Sequence, residues 1–457
     1  MKKLLSIILS LAMVLGLCAC SNTAKTMDEV RACLFPAGGE KDVEAAMELL
    51  LPLAEKGEAE AQYYYGWILD QELEENDENE KESLRWYRLA MEQGYLKAYI
   101  GVSQNDSTLS TEEKDEIARE AIQGGLLDLS DGELGADGFY WIGKLYHGGL
   151  GVEQDYTKAH EWYLKAAEAG NTGAMNSIGV LYESGNGVEQ DYAKAYEWYL
   201  KAAEAGNTDA MNSIGVLYAN GNGVEQDYAK AYEWFMKAAE AGHAKSMRNI
   251  GLLYDKGDGV EQDYAKAYEW YLKAAEAGNT YAMNNIGVLY KNGNGVEQDY
   301  AKAFEWYLKA AEAGNVIAMD NLGGLYVYGD GVEQDYAKAY EWYLKAAEAG
   351  HANSMKNIGW LYYNGYGVEQ DYAKSFEWNL KAAEAGNVTA MKNVGWYYTG
   401  GCGDVQADYS AAMNWYINAY LNGDQESLEI INSMLLYGYG VDVYESRHEE
   451  IARAQGN

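Results

Sequence analysis

The dipeptide Glu-Trp places Trp162, Trp198, Trp234, Trp270, Trp306, Trp342 and Trp378 at intervals of 36 residues. A period of this length fixes the class of fold before any residue is considered singly. A 36-residue piece is one supersecondary unit that cannot bury its own apolar face, so consecutive units must stack and share a continuous core. The unit from Asn207 to Gly242 shows what is stacked. Ala210, Met211, Ile214, Gly215, Leu217 and Tyr218 recur with helical spacing and give one apolar face. Asn220 to Val224 is a Gly-rich turn. Asp227 stands at the N-cap position before a second periodic run of Tyr228, Ala231, Tyr232, Trp234, Phe235, Ala238 and Ala239, which stops at Gly242. The spacing predicts a helix-turn-helix hairpin per unit and an all-α chain.

Two recurring choices have physical reasons. Gly179, Gly215, Gly251, Gly287, Gly323, Gly359 and Gly395 sit inside the first helix, where glycine costs about 1 kcal/mol relative to alanine. Recurrence at a costly position predicts close helix-helix approach. On the second helix Glu233 precedes Lys237 by four residues, which predicts a solvated face laced by i, i+4 ion pairs. The repeated Trp and Tyr of the second helices are read as core or inter-repeat packing.

From Gly215 to Gly242 the string Gly-x-x-Tyr-x-x-Gly-x-Gly-Val-x-x-Asp-x-x-Lys-Ala-x-x-Trp-x-x-Lys-Ala-Ala-Glu-x-Gly resembles the Sel1-like repeat, a relative of the tetratricopeptide repeat. The resemblance implies a right-handed α-solenoid whose first helices line the concave side and whose business is binding other proteins. It runs over residues 135–423 almost without interruption. Residues 42–134 read as degenerate N-terminal repeats, with Tyr64, Gly66, Trp86, Tyr87 and Gly94 kept from the pattern. Residues 424–457 read as a C-terminal cap, since an end repeat has no neighbour over its outer face.

Residues 1–20 read as an export signal. Lys2 and Lys3 precede an apolar run from Leu4 to Leu15, too short for a comfortable membrane span. The following Leu17-Cys18-Ala19-Cys20 resembles a bacterial lipobox, which implies a lipid on Cys20 and anchoring at the cell envelope through that lipid alone. Residues 21–41 are expected to form a polar tether. Past the signal only Cys33 and Cys402 accompany Cys20, and their separation favours unpaired thiols over a bridge.

The chain carries 71 acidic against 35 basic residues, a formal net charge of −36. That balance argues against nucleic acid, whose phosphates need clustered Lys and Arg. It favours basic or mixed protein or peptide partners. Candidate binding residues emerge where near-identical units disagree on the first helix. Small and polar residues there give way, late in the array, to Tyr328, Trp360, Tyr363, Tyr366 and Trp396, with Asp320, Lys356 and Lys392 beside them. Aromatic anchors with a few charges are the composition of interface hot spots, and such a face would equally stack on a sugar ring. Filling of a wider gap between hairpins is the competing account of Trp360 and Trp396.

No catalytic, metal or cofactor pattern emerges. Gly-x-Ser-x-Gly, His-Glu-x-x-His and the phosphate-cradling Gly-x-x-x-x-Gly-Lys-Ser/Thr are missing from the sequence. Some cysteine-rich Sel1-like proteins bind or hydrolyse β-lactams, but their units each hold a disulfide, and no unit here has a cysteine pair. Ser-x-x-Lys and Lys-Thr-Gly are missing too. The expectation is therefore a scaffold at the envelope, with a receptor for a small ligand, peptide or glycan fragment as the alternative and a weak β-lactam hydrolase as a minor one.

Overall fold

The computed structural model describes residues 23–34, 41–71, 73, 77–129, 131–400 and 405–454. The export signal, Cys18, Cys20 and Cys402 lie outside them. Among the described residues every regular element is a helix. The chain divides into two compact units, residues 1–217 with 221–225, and residues 218–220 with 226–457, and each is an all-α stack of helix-turn-helix repeats.

The first unit holds α1 (23–34), α2 (Val43–Glu55), α3 (Ala59–Gln71), α4 (Asp77–Glu92), α5 (Leu96–Asn105), α6 (Thr111–Gln123), a 3-10 turn at Leu126–Asp128, α7 (Asp131–Gly148), α8 (Tyr156–Glu168), α9 (Thr172–Ser184), α10 (Tyr192–Glu204) and most of α11 (Thr208–Asn220). Its beginning differs from expectation. The polar tether foreseen over 21–41 is in its described part a helix, α1, whose Met27, Val30 and Leu34 are buried with Leu50, Ile68 and Trp86. Their spacing at i, i+3 and i+7 is an amphipathic stripe that the polar residues around it obscure. Cys33 on the same helix is a half-buried free thiol.

The second unit runs through α12 (Tyr228–Glu240), α13 (Ala244–Lys256), α14 (Tyr264–Glu276), α15 (Thr280–Asn292), α16 (Tyr300–Glu312), α17 (Val316–Tyr328), α18 (Tyr336–Glu348), α19 (Ala352–Asn364), α20 (Tyr372–Glu384), α21 (Val388–Gly400), α22 (Tyr409–Leu421), α23 (Gln425–Leu436) and α24 (Val441–Ala454). At its end α24 lies against α22, and Ile431, Met434 and Ile451 close over Met413, Tyr416 and Ile417.

The junctions show why these residues make these helices. Asp299 caps α16 by accepting from the Lys302 N–H at 3.0 Å, and the Lys302 ammonium sits 3.6 Å from the other carboxylate oxygen. The helix stops at Gly314, φ +85°, where the N–H groups of Gly314 and Asn315 donate to Ala311 O and Ala310 O. That is a full Schellman closure. Asn315 then caps α17 by accepting from the Ala318 N–H at 2.9 Å. One residue thus ends a helix and starts the next, which leaves no slack between units.

Packing within a unit explains the costly glycines. A Cβ on Gly287 would lie 2.6 Å from two carbons of the Tyr307 ring, closer than real contacts allow. Tyr163, Tyr199, Tyr271, Tyr307 and Tyr343 all occupy this position on the second helix and are buried. The tryptophan one residue earlier has a different task. It is half-buried, and the following lysine lies over its ring, with Lys237 Nζ 4.0 Å from the centroid of Trp234 and Lys273 Nζ 4.2 Å from that of Trp270. The lysine expected to lace to Glu233 therefore covers the indole, a cation-π contact at i, i+3.

Candidate functional site

The site is built from α17 to α21 in the second unit. A cleft of about 540 Å³ opens on the first-helix face there, lined at its rim by Tyr328, Trp360, Tyr363 and Trp396 and, deeper, by Tyr343, Gly359, Ser375, Asn379 and Tyr397. Tyr328 is 75% exposed, and Trp360 and Trp396 are 41% and 45% exposed. Such exposure separates them from the buried tyrosines of the core. The rim aromatics support each other. Trp360 meets Tyr366 edge to face at 5.2 Å, Tyr366 stacks on Tyr336 at 4.7 Å, and Tyr363 meets Trp396 at 6.1 Å.

Five of the eight expected residues line this cleft, namely Tyr328, Lys356, Trp360, Tyr363 and Trp396. Tyr366 stands behind Trp360 as a support. The other two are committed elsewhere. Asp320 accepts from Ser354 Oγ at 2.6 Å and Asn357 Nδ2 at 3.1 Å, with His351 Nδ1 3.7 Å away, which makes it a tie between repeats. Lys392, expected beside the aromatics as a binding cation, is bound by Asp424 at 3.3 Å and Glu426 at 2.7 Å. Those two carboxylates hold its ammonium pKa above the usual lysine range.

The floor of the cleft was not foreseen. The repeat pattern puts alanine, tyrosine and leucine at the positions of Ser375, Asn379 and Tyr397, as in Ala339, Tyr343 and Leu361. All three depart together. With asparagine at 379, no ring crosses Gly359. Tyr397, reaching across from α21, donates to Ser375 Oγ at 2.6 Å, and Ser375 donates to Gly359 O at 2.6 Å. Asn379 Nδ2 donates to Ser375 O at 2.8 Å, and Asn393 Nδ2 to Asn379 Oδ1 at 2.9 Å. A buried polar chain replaces an aromatic plug, and every link in it is satisfied. The signal was legible in principle, as simultaneous departures at two core positions of the second helix, Ser375 and Asn379, and one of the next first helix, Tyr397.

The exchange predicts strong coupling. Asn379→Tyr alone should destabilise the second unit by ~1–3 kcal/mol, because a second ring must share the space that Tyr397 and Ser375 hold. Adding Ser375→Ala and Tyr397→Leu restores the pattern of the other repeats and should recover that loss. Urea melts of the three variants measure the non-additivity; simple addition would show that the three positions are independent.

Ser375 Oγ is buried and engaged both as donor and as acceptor. Among the described residues no group of three His, Cys, Asp or Glu side chains could hold a metal ion, and no helix is long and apolar enough to cross a membrane.

The first unit has a larger cavity of about 870 Å³, lined by Arg31, Glu60, Tyr63, Tyr64, Trp67 and Tyr95 among others. In it Arg31 pairs with Glu60 at 2.5 Å and with Asp28 at 2.9 Å, and Asp137 accepts from Asn171 Nδ2 at 2.9 Å.

A family model described as Sel1 repeat matches residues 31–58, 59–95, 138–171, 172–207, 208–243, 244–279, 280–315, 316–351, 352–387 and 388–424. Among solved structures the chain is similar to a protective antigen present in uropathogenic Escherichia coli strains and displaying an SLR fold, at 32% identity over 86% of this chain and 75% of that one, TM-score 0.48. It is also similar to a Sel1 repeat protein from Oxalobacter formigenes, at 35% identity over 52% of this chain and 100% of that one, TM-score 0.48. An immunity protein from Pseudomonas aeruginosa aligns at 23% identity over 48% of this chain and 83% of that one, TM-score 0.38. No curated protein matches the chain.

Proposed function

This chain belongs to the Sel1 repeat family, whose members generally serve as protein-protein interaction scaffolds, and on that premise we propose a scaffold that works at the bacterial cell envelope. In this reading the protein is exported, held at the membrane by a lipid on Cys20, and binds a partner through the aromatic cleft between α17 and α21. The observation that carries the binding role is the cleft itself. Exposed aromatics clustered around a recess have the composition of an interface hot spot. Anchoring rests on the Lys2-Lys3, apolar run and Leu17-Cys18-Ala19-Cys20 succession. The role is non-catalytic, in keeping with a family that is mostly non-enzymatic.

The amide and hydroxyl side chains of Asn357, Asn393 and Thr389 along the cleft favour a second reading, a receptor for a small ligand or glycan fragment. Proximity labelling from the protein in its own cell, combined with fractionation and mass spectrometry of the mature N-terminus, tests the scaffold. The expected result is a diacylated Cys20 in the membrane fraction and a reproducible set of labelled envelope proteins. A soluble chain with an unmodified N-terminus sinks the anchor. A glycan array bound where no protein is labelled transfers the cleft to the second reading.

A further inference from the structure

Lys356 and Lys392 hold the same register position on successive first helices, yet their surroundings differ in charge. Lys392 is met by Asp424 and Glu426 from α23 and its cap. The residues in the matching places next to Lys356 are Asn387, which caps α21 by accepting from the Ala390 N–H, and Thr389. Both are neutral. Lys356 is half-buried, lines the cleft, and has no ion pair among the described residues. In a chain of net charge −36 an unmatched cation in a recess stands out, since acids are plentiful and none is placed on it.

A second group in the same cleft is unmet. Tyr199 and Tyr271 bury their rings over a glycine and donate to Glu183 at 2.6 Å and Asp255 at 3.0 Å. Tyr343 has the same place in its unit and is 5% exposed. Its hydroxyl has no hydrogen-bond partner among the described residues, and Tyr343 lines the cleft. The carboxylate that Tyr199 and Tyr271 find within their own units would come at 327, where Val327 stands; Tyr307, with Lys291 at the matching place, likewise lacks a partner but lies outside the cleft. A cation and a hydroxyl donor, both without acceptors, share one recess rimmed by Trp360, Tyr363 and Trp396. A carboxylate entering the cleft can accept charge-assisted hydrogen bonds from such donors.

We propose that this cleft takes an acidic segment of a partner protein, an Asp or Glu carboxylate on Lys356 and Tyr343 with an adjacent aromatic or aliphatic side chain against Trp360 and Trp396. The inference rests on the reading of the cleft as the partner site and adds the chemistry of what enters it. The Asp320 carboxylate also acts on Tyr343, but the unpaired Lys356 ammonium gives this recess a local attraction for an acidic group that overall acidity does not suggest.

Selection of a random displayed peptide library on the full chain tests this directly. Selected peptides should be enriched in Asp or Glu within two residues of an aromatic or aliphatic side chain. Lys356→Gln should weaken them about 10- to 100-fold, with an unchanged circular-dichroism spectrum, and Tyr343→Phe should weaken them by a smaller factor without loss of stability. Replacing the peptide's Glu by Gln should reproduce the Lys356→Gln loss and add nothing to it in that variant. Peptides that need Trp360 but show no acidic preference would overturn the carboxylate and leave the partner site standing. Peptides indifferent to both Trp360 and Lys356, or no peptides at all, would remove both. Displacement by glucuronate but not by glutamate-containing peptides would assign the anion to an acidic sugar and overturn the peptide.

Discussion

Replacing Tyr307 by alanine is expected to cost ~3–5 kcal/mol, the range for truncating a large fully buried aromatic. Tyr307 is 0% exposed and lies in the core shared by α14 to α17. Its partner across the hairpin gives the complementary result. Gly287→Ala adds a methyl 2.6 Å from the Tyr307 ring, and the gain of about 1 kcal/mol in helix propensity cannot offset overpacking of ~1–3 kcal/mol. The double variant should be more stable than the sum of the two losses implies, because the methyl can enter the space the ring has left. In a stacked array each unit touches only its neighbours, so the damage should remain local. Hydrogen exchange read by mass spectrometry should show deprotection spreading from α15 and α16. Uniform loss across the second unit, or additive effects, would mean that the glycine and tyrosine do not form one packing element.

The same pair shows how far the amino-acid sequence carries the fold. The recurrence of a helix-internal glycine implies a close neighbour, and its regular spacing from the second-helix aromatics indicates which side chain lies across it. Caps were equally legible, because Asp299, Gly314 and Asn315 do local jobs that depend on residue type alone. What depended on the third dimension was not. The described part of the 21–41 segment looked like a tether because its polar residues dominate composition, whereas its helix is held by only three buried side chains. Lys356 and Lys392 looked equivalent because register is all that a repeat reveals. Their difference lies 31 to 34 residues away, in whether the next cap is Asn387 or Asp424. The floor of the cleft is hidden for a related reason: Ser375 and Asn379 lie on one helix and Tyr397 on the next, and only the fold brings the three together.

Converting Trp360 and Trp396 together to alanine should abolish capture of the partner while leaving the melt almost where it was. Each rim aromatic is a candidate hot spot, and loss of such an anchor costs ~2 kcal/mol or more in binding, so the pair should lower affinity by at least several hundredfold if the two act independently. Their contribution to folding is far smaller. Both are more than 40% exposed, and what they lose is edge contact with Tyr366, Tyr363 and Tyr397, about 1 kcal/mol per aromatic pair. The comparison with Tyr307→Ala sets the scale. If the double variant melts as early as Tyr307→Ala does, the indoles are packing that fills the gap between hairpins. If it melts near the parent and still captures the partner, the cleft is not the docking site. Only a nearly unchanged melt with lost capture fits an aromatic rim built to be covered. That outcome would also explain why three substitutions were made beneath it. A tyrosine at 379 would fill the recess, and the satisfied chain through Ser375, Asn379 and Tyr397 keeps it open without leaving a buried polar group unpaired.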